Sequence, residues 1–224
     1  MSKPSGKSRG ERKPSALVTG YLIAYNFASA AGWAYSFALL AKSIITNQSY
    51  QRAYYDSGDV VRWVQTAASL EIVHALLGLV KTPVSTTAIQ VASRLLLVWG
   101  IMNSFNVTEV REHWAYSTMV TAWAITEVTR YVYYGFNLMG LNPAVLLWAR
   151  YTFFYILYPM GAGSEAMEIY NALPAARAYA SNDYLYYLLM GIIAIYPPGF
   201  YVMYTHMIGQ RRKYLGKAAS KKKA

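Results

Sequence analysis

Apolar and polar positions in this chain come in blocks rather than alternating residue by residue. Mostly apolar runs of about 20 residues, the length a helix needs to cross a hydrocarbon core, are separated by short polar stretches. Six runs are read as helices, at 16–41, 60–80, 84–102, 114–136, 144–163 and 184–207. The polar stretches 47–59, 81–83, 103–113 and 137–143 are read as loops and turns. The mixed segment 164–182 is read as a connection with a short interfacial helix. Pro159 in the fifth run and Pro197-Pro198-Gly199 in the sixth predict interruptions, because proline lacks a backbone donor and clashes with the preceding turn. The predicted class is all-α, a polytopic membrane protein with six transmembrane helices.

Charge supplies an orientation. Only 14% of the 224 residues are charged, and the net charge of +11 gathers at the two ends. Lys3, Lys7, Arg9, Arg12 and Lys13 precede the first run; Arg211, Arg212, Lys213, Lys217 and Lys221 to Lys223 follow the last. Six crossings put both termini on one side, and basic ends mark that side as cytosolic. Lys81 falls on it, while Asp56, Asp59, Glu109, Glu112 and Asp183 fall on the other. The chain therefore divides into a disordered basic cytosolic tail (1–14), a membrane domain (15–210) and a second basic cytosolic tail (211–224). The first run is too long and aromatic for a cleaved signal and reads as a retained span. Basic tails of this kind fit a membrane protein more simply than a nucleic-acid binder, and no nucleic acid is expected as partner. With no cysteine, thiolate catalysis and cysteine metal sites are excluded.

Among the ionisable residues inside the apolar runs or at their ends, seven stand out: Glu71, His74, Arg94, Glu127, Arg130, Arg150 and Glu165. A charge at a helix centre costs at least about 2.5 kcal/mol, so these side chains must face inward and find partners. Glu71 and His74, like Glu127 and Arg130, are three apart and share a helix face. One reading makes them ion pairs that set helix register. The other makes the inward polar face a cavity for an anionic or thioester substrate, with Arg94, Arg130, Arg150, Glu71, His74 and Glu127 as candidate substrate-binding residues. Glu71-x-x-His74 is half of a di-iron carboxylate pattern, and without a second copy no metal is expected.

The stretch from Trp148 to Glu165 carries the sharpest chemistry. Tyr158 and Glu165 are seven residues apart, about two turns, so a continuous helix sets them on nearly one face. A phenol and a carboxyl group there form a candidate proton donor and acceptor. Most of the 22 tyrosines are read as packing or interface anchors; Tyr158 stands out by its place before Pro159 and above Glu165.

These residues resemble a known family. Arg150-Tyr151, Leu157-Tyr158-Pro159, Gly161 and Ser164-Glu165 are similar to the signature of the very-long-chain (3R)-3-hydroxyacyl-CoA dehydratases, also called protein tyrosine phosphatase-like proteins. Leu70-Glu71-Ile72 with His74, Gln90-Val91 with Ser93-Arg94, and Thr126-Glu127-Val128 with Arg130-Tyr131 extend the resemblance. It implies a multi-pass endoplasmic reticulum enzyme that removes water from a long-chain 3-hydroxyacyl-CoA in the third step of fatty-acid elongation. It also implies no cofactor, and partner enzymes that include a condensing enzyme and reductases. The family's catalytic Tyr and Glu fall on Tyr158 and Glu165, and the sequence leaves open which is acid and which base. The ending Lys221-Lys222-Lys223-Ala224 fits a dilysine return signal of that membrane. A membrane transporter and a non-catalytic scaffold of an elongation complex are the competing readings.

Overall fold

The computed structural model describes residues 15–179 and 183–221, with side chains through residue 216. The tail at 1–14 and most of the terminal lysine signal lie outside the described residues. Among those described, all regular structure is helical: α1 (Ala16–Asn47), α2 (Ala53–Ala67), α3 (Leu70–Leu76), α4 (Val84–Leu95), a π-helix (Leu96–Asn103), α5 (Thr108–Arg111), α6 (Trp114–Leu138), α7 (Ala144–Arg150), α8 (Phe154–Tyr179) and α9 (Tyr184–Lys221).

Several boundaries differ from those predicted, for identifiable reasons. The loop at 47–59 is largely helix, because α2 starts at Ala53 and buries Ala53, Ser57, Gly58, Val61 and Gln65 along one stripe. The three that fall in the predicted loop, Ala53, Ser57 and Gly58, are small, so that part of the stripe is invisible to a hydrophobic count. The second run divides at Ala68–Ser69 into α2 and α3. The fifth run breaks at 151–153, not at Pro159. Helix α8 passes through both Pro159 and Pro174, so the expected break and the separate interfacial helix are replaced by one 26-residue helix. Pro159 frees the carbonyl of Tyr155, and the Tyr204 hydroxyl approaches that oxygen at 3.5 Å. A neighbouring helix thus supplies the bond that proline removes. Likewise α9 runs through Pro197-Pro198 to Lys221 without interruption.

Side-chain contacts fix how the helices run. Tyr21 bonds His74 (2.8 Å) and Tyr25 packs edge-on to Tyr131, which gathers the start of α1, α3 and the later part of α6 at one end. Ser43 bonds Asp56 (2.6 Å) and Ser57 bonds Tyr116 (2.8 Å), which gathers the end of α1 and the starts of α2 and α6 at the other. The core between them includes Trp33, Leu97, Met119, Trp123 and Ile169. The turn after α6 needs Gly140, whose φ of +80° only glycine adopts without strain.

The outer surface is apolar. Leu17, Ile45, Leu76, Val145, Ile156 and Val202 are each well exposed, and patches of this extent mark a lipid or protein contact. Two helical stretches, Val84–Asn103 and Tyr184–Gly216, are long and apolar enough to cross a membrane.

Candidate active site

Helix α8 turns one stripe toward an internal space: Phe154, Leu157, Tyr158, Gly161, Ala162 and Glu165 all line it. Their spacing of three and four is a single helix face, so Tyr158 and Glu165 open onto the same cavity. It has a volume of about 930 Å³, at the large end of ligand sites. Helix α9 forms the opposite wall, α6 adds Ala122 and Trp123, and α4 adds Gln90 and Arg94. Close approach of α6 and α8 rests on small residues. Thr118 and Ser164 bond at 2.6 Å, and Gly161 sits against Ala122.

The two carboxylate oxygens of Glu165 are both held. The Trp123 indole N–H donates to Oε1 at 2.8 Å, and the Tyr196 hydroxyl donates to Oε2 at 3.2 Å. An indole N–H only donates, so it favours an acceptor at Oε1. Tyr158 is different. Its ring stacks on Phe200 (centroids 5.4 Å apart, planes at 25°) and lies tilted to Tyr204. Its hydroxyl makes no hydrogen bond to another described residue and faces the cavity free.

Beside this pair runs a chain of buried charges. Arg130 grips Glu71 with both terminal nitrogens (2.7 and 3.0 Å) and reaches Glu127 at 2.7 Å. Tyr131 also bonds Glu71, and Arg94 bonds the other oxygen of Glu127. Two carboxylates and two guanidiniums balance, as buried charges must. The Arg94 guanidinium then lies over the Trp123 ring at 4.9 Å, so the network ends on the residue that holds Glu165.

Three of the sequence candidates do not line the cavity. Glu71 and Glu127 sit behind Arg94 and Arg130 as their counter-charges, and His74 packs among Tyr21 and Tyr25. Arg94, Arg130 and Arg150 do line it. Arg94 and Arg130 are committed to carboxylates. Arg150 faces only tyrosines: it donates to the Tyr134 hydroxyl at 2.8 Å, stands over the Tyr133, Tyr134 and Tyr151 rings, and leaves its second terminal nitrogen buried without a partner.

The profile of the family described as protein tyrosine phosphatase-like protein, PTPLA, matches residues 65–217. The chain belongs to this family. It is 43% identical over 209 residues to a Schizosaccharomyces pombe protein named probable very-long-chain (3R)-3-hydroxyacyl-CoA dehydratase, covering 92% of this chain and 98% of the relative. It is 38% identical over 227 residues to the Mus musculus very-long-chain (3R)-3-hydroxyacyl-CoA dehydratase 2 (96% and 88% covered). It is 41% identical over 211 residues to the Arabidopsis thaliana very-long-chain (3R)-3-hydroxyacyl-CoA dehydratase PASTICCINO 2 (88% and 94%). No solved structure matches the chain.

The PTPLA match contains every residue of the site, including two that sequence reasoning missed. Trp123 lies one turn before Glu127 on α6, a spacing that points it to the same face, and this was the available signal. Tyr196 carries none beyond standing before Pro197. The phosphatase in the family's description has no thiol nucleophile here, since the chain contains no cysteine.

Proposed function

We propose that this protein is a very-long-chain (3R)-3-hydroxyacyl-CoA dehydratase, a hydro-lyase that forms a trans-2-enoyl-CoA with Tyr158 and Glu165 as its catalytic pair. The carrying observation is that a free phenol and a doubly held carboxylate open onto one cavity. That cavity lies in a chain whose relatives bear the dehydratase name over nearly their whole length. Family membership favours this reading over a transporter or a scaffold.

The chemistry follows from what each group can do. Glu165, with both oxygens accepting hydrogen bonds, serves as the base that takes the proton from C2, which the thioester acidifies. The electron pair left behind forms the C2–C3 double bond as the C3–O bond breaks. Tyr158, whose hydroxyl is free, donates its proton to the departing hydroxyl, and water leaves. Return of the proton from the Glu165 carboxyl to the Tyr158 oxygen, through the shared cavity, restores the starting state. Arg94 and Arg130, bound to Glu127 and Glu71, stiffen the cavity wall. Each general acid–base group typically contributes about 10² to 10⁴ in rate.

Six helical passes with both termini cytosolic, in the endoplasmic reticulum membrane, suit this activity. The outward apolar side chains and the charges turned inward support that placement. The other enzymes of fatty-acid elongation are the proposed partners. The reading is tested with purified protein in lipid nanodiscs and a long-chain 3-hydroxyacyl-CoA: the expected product is lighter by one water, and an unchanged substrate refutes the assignment.

Trp123 is a positioning residue in this scheme. Trp123→Phe removes the donor to Glu165 Oε1 and keeps most of the ring under Arg94. Loss of one partner of a buried polar group costs about 1–3 kcal/mol, so kcat falls roughly tenfold or more. KM stays within about twofold in steady-state assays, whereas a packing defect alone moves stability and spares kcat.

A further inference from the structure

The cavity is long, and its two ends differ. On α9 its lining extends from Ile192 to Tyr214, which at 1.5 Å per residue is about 33 Å of helix. The proposed catalytic pair occupies the inner half, where Tyr196 bonds Glu165 and Phe200 stacks on Tyr158. The inner end beyond it is apolar, with Ile192 and Ile195. The other end is polar and basic: Arg150, His206, Gln210 and Tyr214 line it, and Arg212 and Lys213 stand exposed on the same turn of α9 as Tyr214. Among the described residues, Glu165 is the one acidic side chain that lines the cavity.

We propose that this basic end is the subsite for the phosphate-bearing nucleotide of the coenzyme A carrier, with Arg150 as its anchor, so that the acyl chain runs the opposite way past Glu165. The proposal rests on the dehydratase reading and fixes the direction in which its substrate lies. Three observations carry it. First, Arg150 is presented for an anion: tyrosine rings surround its guanidinium, Tyr134 holds one nitrogen, and another is buried with no partner. A guanidinium removed from water with no carboxylate beside it gains from a charge-assisted contact with a phosphate. Second, the depth fits. A phosphopantetheine arm has about 13 bonds between phosphorus and sulfur, and at the advance of an extended chain it spans about 15 Å. From Phe200, beside Tyr158, about ten residues of α9 cover that distance and end at Gln210. A thioester held at the pair therefore delivers its phosphates to the level of Gln210 and the basic residues after it. Third, the reverse orientation carries those phosphates past Glu165 toward Ile192 and Ile195 and away from Arg150, His206 and Gln210.

Tyr151 and Tyr214 close this end as a parallel stacked pair, with centroids 4.8 Å apart and planes at 13°.

The test compares one 3-hydroxyacyl chain on coenzyme A and on pantetheine, which lacks every phosphate and the adenine. Wild-type protein is expected to show a KM at least about tenfold lower for the coenzyme A thioester, one decade of affinity. Arg150→Gln is expected to erase most of that preference through a higher KM for the coenzyme A thioester, with its loss confined to that substrate. A second measurement avoids any folding defect: adenosine 3′,5′-bisphosphate, added to the wild-type protein, competes with the coenzyme A thioester and leaves pantetheine thioester turnover at saturating substrate unaffected. Equal use of both thioesters by the wild type, equal losses on both in Arg150→Gln, or absence of competition by the bisphosphate each overturn the subsite while leaving dehydration intact. A wild-type protein that dehydrates neither thioester overturns the dehydratase reading and the subsite with it.

Discussion

Tyr158→Phe and Glu165→Gln each lower kcat for dehydration by about 10² to 10⁴, with folding and KM close to those of the wild type. The expectation follows from what each change removes. Phenylalanine keeps the ring that stacks on Phe200 and deletes only a hydroxyl that has no hydrogen bond to the described residues, so no contact within the fold is lost. Glutamine keeps the shape of Glu165 and an oxygen for the Trp123 N–H, while its amide turns to the Tyr196 hydroxyl, which accepts as readily as it donates. What disappears is a base for C2 in one case and a proton for the leaving hydroxyl in the other. Steady-state assays of enoyl-CoA formation, with melting temperature measured in the same detergent, separate this from unfolding. Full activity in both variants removes the pair from the mechanism.

Glu127→Ala is expected to destabilise the protein by about 3–5 kcal/mol, the usual consequence of removing one partner from a buried ionic network. The Glu127 side chain is 3% exposed and serves two guanidiniums, Arg94 and Arg130. Arg130 retains Glu71, whereas Arg94 loses the one carboxylate it is hydrogen-bonded to. Because Arg94 also lies over Trp123, the disturbance reaches Glu165, and activity falls along with stability. Arg94→Met added to Glu127→Ala is expected to recover part of the lost stability, since it removes the stranded charge and fills its space. Thermal inactivation of the two variants checks this. A single variant as stable as the wild type, or a double variant less stable than the single, contradicts the network's role.

What the sequence made legible was local. Spacings of three and seven residues paired Glu127 with Arg130 and set Tyr158 and Glu165 on one stripe, because helix periodicity alone decides which side chains share a face; that Glu71 joins Arg130 from 59 residues away is not announced by any spacing. The same reasoning failed where distant residues intervene. Pro159 signalled a break, yet Tyr204, 49 residues from Tyr155 in sequence, supplies the missing bond. The segment after Asn47 looked like a loop because its buried face is made of Ala53, Ser57 and Gly58, which pack by being small rather than apolar. Trp123 and Tyr196 reach Glu165 across 42 and 31 residues, and no local pattern announces such partners. His74 shares a face with Glu71 but turns to Tyr21 instead of the cavity, since three-residue spacing fixes a face and not what the face meets.

The most direct test of the central claim is the kcat of the Tyr158→Phe/Glu165→Gln double variant beside the two single ones. Two groups that act together on one bond-breaking event are strongly non-additive. The account predicts a double variant no more than about tenfold slower than the worse single variant, the size of one 1.4 kcal/mol step. Losses that multiply in full would mean that the phenol and the carboxylate contribute independently of one another, and the cooperating acid–base pair proposed for this cavity would be wrong.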